Sequence, residues 1–248
     1  MILERLRGLI VSIQPEPDSL LNQPEIVALL ARAVVANGAA GVRIEGAERL
    51  AAVRAAVDVP IVGLIKRSYP GFAPYITPTA DEIDAIVAAG AEIVAFDATP
   101  RSRPQGDDVA AMIGRIRARG ALAMADCATG AEVRAAAAAG AGIVATTLCG
   151  YTEDSRGHRL PALDVLREAV ATGAFAILEG GVAAPDEVAA AIAAGAGAVV
   201  VGTALTNLDA RVRTFAAAAA RQKSAPENRL PRTVWKSGTR LDGERRDG

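Results

Sequence analysis

Ile177-Leu178-Glu179-Gly180-Gly181-Val182, followed one Ala-rich stretch later by Val199-Val200-Val201-Gly202-Thr203-Ala204, decides the fold of this chain. Each is a short apolar run that ends on glycine, and the residues between, 185–194, have the length and composition of a helix. The unit reads strand, Gly-Gly turn, helix, strand, Gly turn. Glycine lets backbone N–H groups approach an oxyanion with no Cβ in the way. The N-terminus of a following helix adds a favourable dipole. A phosphate group is the natural guest, and in closed barrels of alternating strands and helices the loops after the last two strands often build such a site. Glu179, a carboxylate ending an otherwise apolar run, puts chemistry beside that anion.

The same unit recurs outward along the chain. Candidate strands lie at 9–13, 41–44, 61–65, 93–96, 121–125, 143–146, 174–178 and 198–201. Candidate helices lie at 25–36, 48–57, 81–89, 107–119, 129–139, 162–171, 185–194 and 208–221. Ala-Ala-Gly-Ala closes three of the helices, at 88–91, 138–141 and 193–196, and glycine just past a helix end is the usual left-handed stop. Thr79 and Asp186 mark helix starts, and Pro185 suits a first turn. Continuous apolar strands alternating with helices demand a parallel sheet covered by those helices. Eight such units without interruption predict an α/β fold of the (β/α)8 TIM-barrel type over residues 1–222. Residues 223–248 are polar and rich in Arg, Pro and Gly around a single Trp at 235, and read as a flexible tail outside the barrel.

Composition narrows the function. At 248 residues with 51% apolar content the chain can bury a large core. Lys+Arg 27 against Asp+Glu 28 gives no bulk charge for nucleic acid or an anionic membrane. Two cysteines, Cys127 and Cys149, without an export signal point to a reducing, cytoplasmic setting, and no run is suited to spanning a membrane. His158 is the only histidine, which excludes a His-rich metal site, so no metal is expected. No Gly-x-Gly-x-x-Gly follows the first strand and no Walker loop is present. A homodimer is common for barrels of this size, but no apolar stripe marks its surface.

A barrel places its functional residues at the C-terminal ends of its strands. There the sequence carries, in order, Ser12 and Gln14, Arg43 and Glu45, Lys66-Arg67, Asp97, Asp126, Thr146-Thr147, Glu179 and Gly202-Thr203. The opposite ends are mostly Gly, Ala, Val or Pro. Lys66 ends a deeply apolar strand, where desolvation lowers an amine toward neutrality and makes it a base or a nucleophile; the alternative is a lysine reaching back to solvent. Glu179 and Asp126 read either as an acid and its partner or as ion pairs with Lys66 or Arg43. Arg43 suits a substrate carbonyl or those same carboxylates. Asp97 suits sugar hydroxyls or a turn cap. Gln14 and Ser12 read as substrate hydrogen-bonders or barrel-layer fillers. His158, Cys127 and Cys149 read as a solvated side chain and two buried small ones.

Taken together these strand ends resemble the N-acetylmannosamine-6-phosphate 2-epimerase family. The matching pieces are Ser12-Ile13-Gln14, Gly41-Val42-Arg43, Gly63-Leu64-Ile65-Lys66-Arg67, Tyr75-Ile76-Thr77, Asp97-Ala98-Thr99, Met124-Ala125-Asp126, Thr146-Thr147-Leu148 with Gly150-Tyr151-Thr152, Glu179-Gly180 and Val199-Val200-Val201-Gly202. They span about residues 9–206 in the family's order. The resemblance implies conversion of N-acetylmannosamine 6-phosphate to N-acetylglucosamine 6-phosphate by inversion at C2, without metal or redox cofactor. It implies that Lys66 moves the C2 proton and that Glu179 is its acid/base partner. It implies that Gln14, Arg43, Asp126, Thr147 and Tyr151 hold the sugar, and that the amides around Gly180, Gly181, Gly202 and Thr203 hold the phosphate. The chain departs from the family at Ile13 (commonly Cys), at Cys149 (often Arg) and at Asn207, where the family tends to have an Arg for the phosphate. A Schiff-base aldolase using Lys66, and a non-catalytic sugar-phosphate-binding barrel, are the competing expectations.

Overall fold

In a computed structural model, residues 1–223 are described. Eight strands run β1 (Gly8–Ile13), β2 (Gly41–Glu45), β3 (Ile61–Leu64), β4 (Ile93–Asp97), β5 (Leu122–Asp126), β6 (Ile143–Ala145), β7 (Phe175–Glu179) and β8 (Ala198–Val201). All pair in parallel in chain order, and β8 closes back onto β1 with Gly8 opposite Ala198. Helices α1 (Ile2–Arg5), α2 (Pro24–Ala36), α3 (Ala47–Ala56), α4 (Ala80–Ala88), α5 (Val109–Ala118), α6 (Gly130–Ala138), α7 (Leu163–Ala171), α8 (Pro185–Ala193) and α9 (Leu208–Lys223) alternate with them. This is the expected (β/α)8 barrel. The chain divides into two compact units, Met1–Arg211 and Val212–Gly248, and the barrel lies within the first. Of the expected tail at 223–248, only Lys223 is described, as the last residue of α9; Trp235 and the rest lie outside the described residues.

Strand side chains alternate in direction, and that alternation sorts the sequence into two cores. Ile10, Val62, Leu64, Ala95, Met124, Ile177 and Val200 point inward and pack with one another. Val11, Ile44, Val94, Ala125, Leu178 and Val199 point outward under the helices. The parity carries to the strand ends. Two residues beyond inward Ile10, Met124 and Ile177 come Ser12, Asp126 and Glu179, and Arg43 pairs in register with Ser12. The charged layer is thus the next storey of the same interior. The opposite end is plugged by fully buried Leu6, which follows α1 and joins the inner cluster.

Helix starts bear out the local chemistry. The Glu82 carboxylate accepts from the Thr79 amide at 2.9 Å, and Glu132 does the same for Thr129 at 3.0 Å, while Thr129 Oγ1 accepts from the Glu132 amide. These reciprocal caps satisfy amides that a helix leaves open. Among the described residues, no helix is long and apolar enough to cross a membrane.

Candidate active site

A cavity of about 680 Å³ opens at the C-terminal end of the barrel. Its size suits a small phosphorylated sugar. Gln14, Arg43, Lys66, Thr147, Tyr151, Glu179, Gly180, Gly181, Gly202 and Thr203 all line it. Asp126, expected to hold the sugar, does not line the cavity: its side chain is fully buried behind Arg43, and both of its oxygens accept from that guanidinium. Asp97 is likewise buried and holds the loop after β4, accepting from the Thr99 amide at 3.0 Å and from Arg101 at 2.7 Å, so the turn-cap alternative fits it.

Buried charge dominates one wall. Arg43 grips Asp126 with both forks, Nη1 to Oδ1 at 3.1 Å and Nη2 to Oδ2 at 2.7 Å, and Nη1 also donates to Glu179 Oε2. The Thr147 hydroxyl lies 2.7 Å from Asp126 Oδ1 and 3.0 Å from Glu179 Oε2. One guanidinium therefore faces two carboxylates in a place water scarcely reaches. Burial pushes the Glu179 carboxyl up to about 7; Arg43 opposes that rise and the Asp126 charge adds to it. Two neighbouring carboxylates resist ionising together, and a buried pair that balances one cation is less costly with one proton retained.

Lys66 faces the same space. Its backbone is fixed on two sides. Its amide donates to Glu45 Oε1 at 3.3 Å, and it forms an antiparallel bridge with Ile76. The returning strand is anchored by Thr77, whose amide donates to Ile65 O at 2.8 Å and whose hydroxyl donates to Ala95 O at 2.7 Å. Thr77 holds this position at φ 46°, a left-handed conformation that a β-branched residue rarely adopts. The ammonium of Lys66 makes no ion pair among the described residues. Although it reaches the open cavity, surrounding protein lowers its pKa by desolvation. The nearby Arg43 charge adds to that, while Glu45, Glu179 and Asp126 pull the other way.

Directly after Glu179 the lining becomes main chain. Gly180 and Gly181 have φ of 104° and 73°, and a Cβ on Gly181 would sit 2.6 Å from that of Leu160. Only glycine fits there. After β8 the chain turns at once, with the Leu205 and Thr206 amides donating to Gly202 O at 2.9 and 3.0 Å. The amides of Gly180, Gly181, Thr203 and Ala204 have no hydrogen-bond acceptor among the described residues, and all four residues line the cavity. Such a cluster of open N–H groups is an anion nest.

Several lining residues escaped the sequence reading as site residues. Tyr75 and Glu16 line the cavity. So does Arg211, one helical turn beyond Asn207, while the Asn207 Oδ1 caps α9 by accepting from the Ala210 amide at 2.9 Å. The i, i+4 spacing from Asn207 is the signal that could have found Arg211. His158 pairs with Asp164 at 2.9 Å, away from the cavity, and both thiols are buried and pushed up in pKa. Among the described residues, no group of three or more His, Cys, Asp or Glu side chains is placed to hold a metal ion.

Residues 27–221 match the family described as "NanE: Putative N-acetylmannosamine-6-phosphate epimerase". A Synechococcus elongatus protein named "Putative N-acetylmannosamine-6-phosphate 2-epimerase" is 46% identical over 221 residues, covering 87% of this chain and 95% of its own. One of the same name from Glaesserella parasuis is 44% identical, covering 88% and 93%. The solved structure of the N-acetylmannosamine-6-phosphate 2-epimerase from Clostridium perfringens superposes with a TM-score of 0.84 at 35% identity, over 88% of this chain and 96% of that one.

Proposed function

This chain belongs to the N-acetylmannosamine-6-phosphate 2-epimerase family, whose members are isomerases, and from that premise we propose that it interconverts N-acetylmannosamine 6-phosphate and N-acetylglucosamine 6-phosphate. The observation that carries the reading is the cavity itself. An amine of lowered pKa, a carboxylic acid of raised pKa and an anion nest share one wall-to-wall space of about 680 Å³.

The chemistry follows from the substrate. In the open-chain sugar, C2–H lies next to the C1 carbonyl and is acidified by it. Neutral Lys66 takes that proton on Nζ, and the electron pair of the C2–H bond moves to form the C1–C2 double bond of an enediolate-like species. Protonated Glu179 supports the negative charge growing on the carbonyl oxygen, and serves the opening and closing of the sugar ring. Return of a proton to the other face of C2 completes the inversion. The phosphate sits on the amides of Gly180, Gly181, Thr203 and Ala204, with Arg211 lining the same cavity. Anchoring the remote phosphate holds C2 within reach of Lys66. No step calls for a metal or a redox cofactor. A small phosphorylated sugar is the only partner this cycle needs, within the cytoplasm.

The decisive experiment is proton NMR of the purified protein with N-acetylmannosamine 6-phosphate in heavy water. Deuterium entering C2 as the second epimer accumulates is the expected result. Covalent capture on Lys66 by borohydride, without C2 exchange, would replace this reading with the aldolase. The absence of both would leave a binding barrel.

A further inference from the structure

The Thr147 hydroxyl has one proton and two carboxylate oxygens within reach, Asp126 Oδ1 at 2.7 Å and Glu179 Oε2 at 3.0 Å. It cannot donate to both. The shorter contact goes to Asp126 Oδ1, which the Arg43 fork holds in place and to which Nη1 donates only at 3.1 Å. A hydroxyl that donates to Asp126 offers one lone pair to Arg43 Nη1, at 3.5 Å, and the other to Glu179, and a lone pair facing a carboxylate oxygen is repelled unless that oxygen carries a proton. We infer that Thr147 is a positioning residue that binds Glu179 and Asp126 into a single-proton pair, donating to Asp126 and accepting from protonated Oε2 of Glu179. The inference deepens the proposed role of Glu179 and rests on it for its use in turnover.

The charge count agrees. Glu179 is faced by Arg43 from β2, Lys66 after β3, Asp126 from β5 and Thr147 after β6, while β8 places Val200 opposite it. Glu16, from the loop after β1, and Arg211 line the same cavity. With Arg43 charged, a single proton held between the two carboxyl groups makes this buried trio neutral. Oε1 of Glu179 has no partner among the described residues, and Glu179 lines the cavity, so Oε1 is the oxygen that meets substrate. A substrate hydroxyl that gives its proton to Oε1 displaces the Oε2 proton to Thr147 Oγ1, whose own proton passes to Asp126 Oδ1. Three O–H bonds form as three break, and one proton has moved from the cavity to Asp126. The reverse sequence returns it.

The sign of a pKa change tests this. The protonation of Glu179 is followed in the substrate-free protein by the infrared carbonyl stretch of its acid form, assigned by its loss in Glu179→Gln. If Thr147 accepts from the acid, Thr147→Val removes support for the protonated form, and the midpoint falls by about half to one pH unit, the worth of one hydrogen bond. Thr147→Ser restores the wild-type midpoint, and Thr147→Ala repeats the measurement should valine fail to pack. A midpoint that rises, or does not move, in the hydroxyl-free variants overturns the inference. The measurement needs no turnover, so its failure is separate from a failure of the epimerase reading, which the heavy-water experiment reports.

Discussion

On the side of β7 and β8 the cavity presents main-chain N–H groups held by two left-handed glycines and a tight turn. From the ends of β2, β3, β6 and β7 it presents side chains: a guanidinium backed by the buried Asp126 of β5, an amine, a threonine and the Glu179 carboxyl. The two walls hold charge by different physics. Open amides have no protonation equilibrium near neutrality and cost little to keep ready, so the nest is constant with pH. The side-chain wall depends on desolvation, which moves each group toward its neutral form and sets the protons the reaction uses. On the proposed function, substrate anchoring is therefore separated from proton transfer.

Substitutions should part the two walls. Lys66→Ala strikes only the side-chain wall and should lower C2 exchange by roughly 10²–10⁴-fold with the fold retained. Exchange at the wild-type rate in that variant would erase the distinction. Asp126→Ala strips both forks of buried Arg43 of their partner and leaves Glu179 as its sole counter-charge, and should lower the unfolding free energy in urea by about 3–5 kcal/mol. A loss under about 1 kcal/mol would mean that the guanidinium finds water. A plot of kcat/KM against pH should rise about tenfold per unit up to near pH 7, where Glu179 titrates, run level, and fall again below the usual lysine value. The sign follows from needing Lys66 neutral and Glu179 protonated: below pH 7 neutral amine is the scarce form and grows with pH, and above the lowered amine value only loss of the acid proton continues. Over pH 7.5–9 the inhibition constant of inorganic phosphate should stay flat, and a strong slope there would give the nest a titrating member.

Gly181→Ala attacks the other wall. Its added methyl meets Leu160, and its φ is one that alanine resists, so KM for the sugar phosphate should rise about five- to tenfold, on the order of 1–3 kcal/mol of backbone strain being spread between folding and binding. A change confined to kcat would move these glycines out of the anchoring role. The smallest effect belongs to the rim. Arg211→Ala should raise KM roughly two- to fivefold, the range of a solvent-exposed charge pair, and Asn207→Arg should lower it by a similar factor. Equal KM values in wild type and both variants would leave anchoring to the amides alone.

The barrel was legible because strand and helix periods are local. Predicted strands 9–13 and 93–96 differ from Gly8–Ile13 and Ile93–Asp97 by one residue at one end, and 174–178 is shifted by one residue from Phe175–Glu179. The four-residue helix at Ile2–Arg5 was not legible, since one turn carries no periodicity, and Leu6 declares its role only once the barrel closes over it. Within the site, Lys66 and Glu179 stood out as charges ending apolar strands. The retreat of Asp126 behind Arg43 did not, because the two lie 83 residues apart and only the inward parity of β2 and β5 brings them together. Arg211 was hidden for a related reason. Its sequence neighbourhood is that of an ordinary helix, and only the turn from Gly202 to Thr206 brings Arg211 to the cavity.

An anchor made of amides has a consequence for the history of such a chain. A codon change cannot delete a peptide N–H, short of creating proline, so the capacity to seat an anion persists while surrounding side chains drift. Innovation in the chosen sugar should then accumulate at the lip, among positions such as Asn207, Arg211 and Tyr151, with the floor inherited almost untouched.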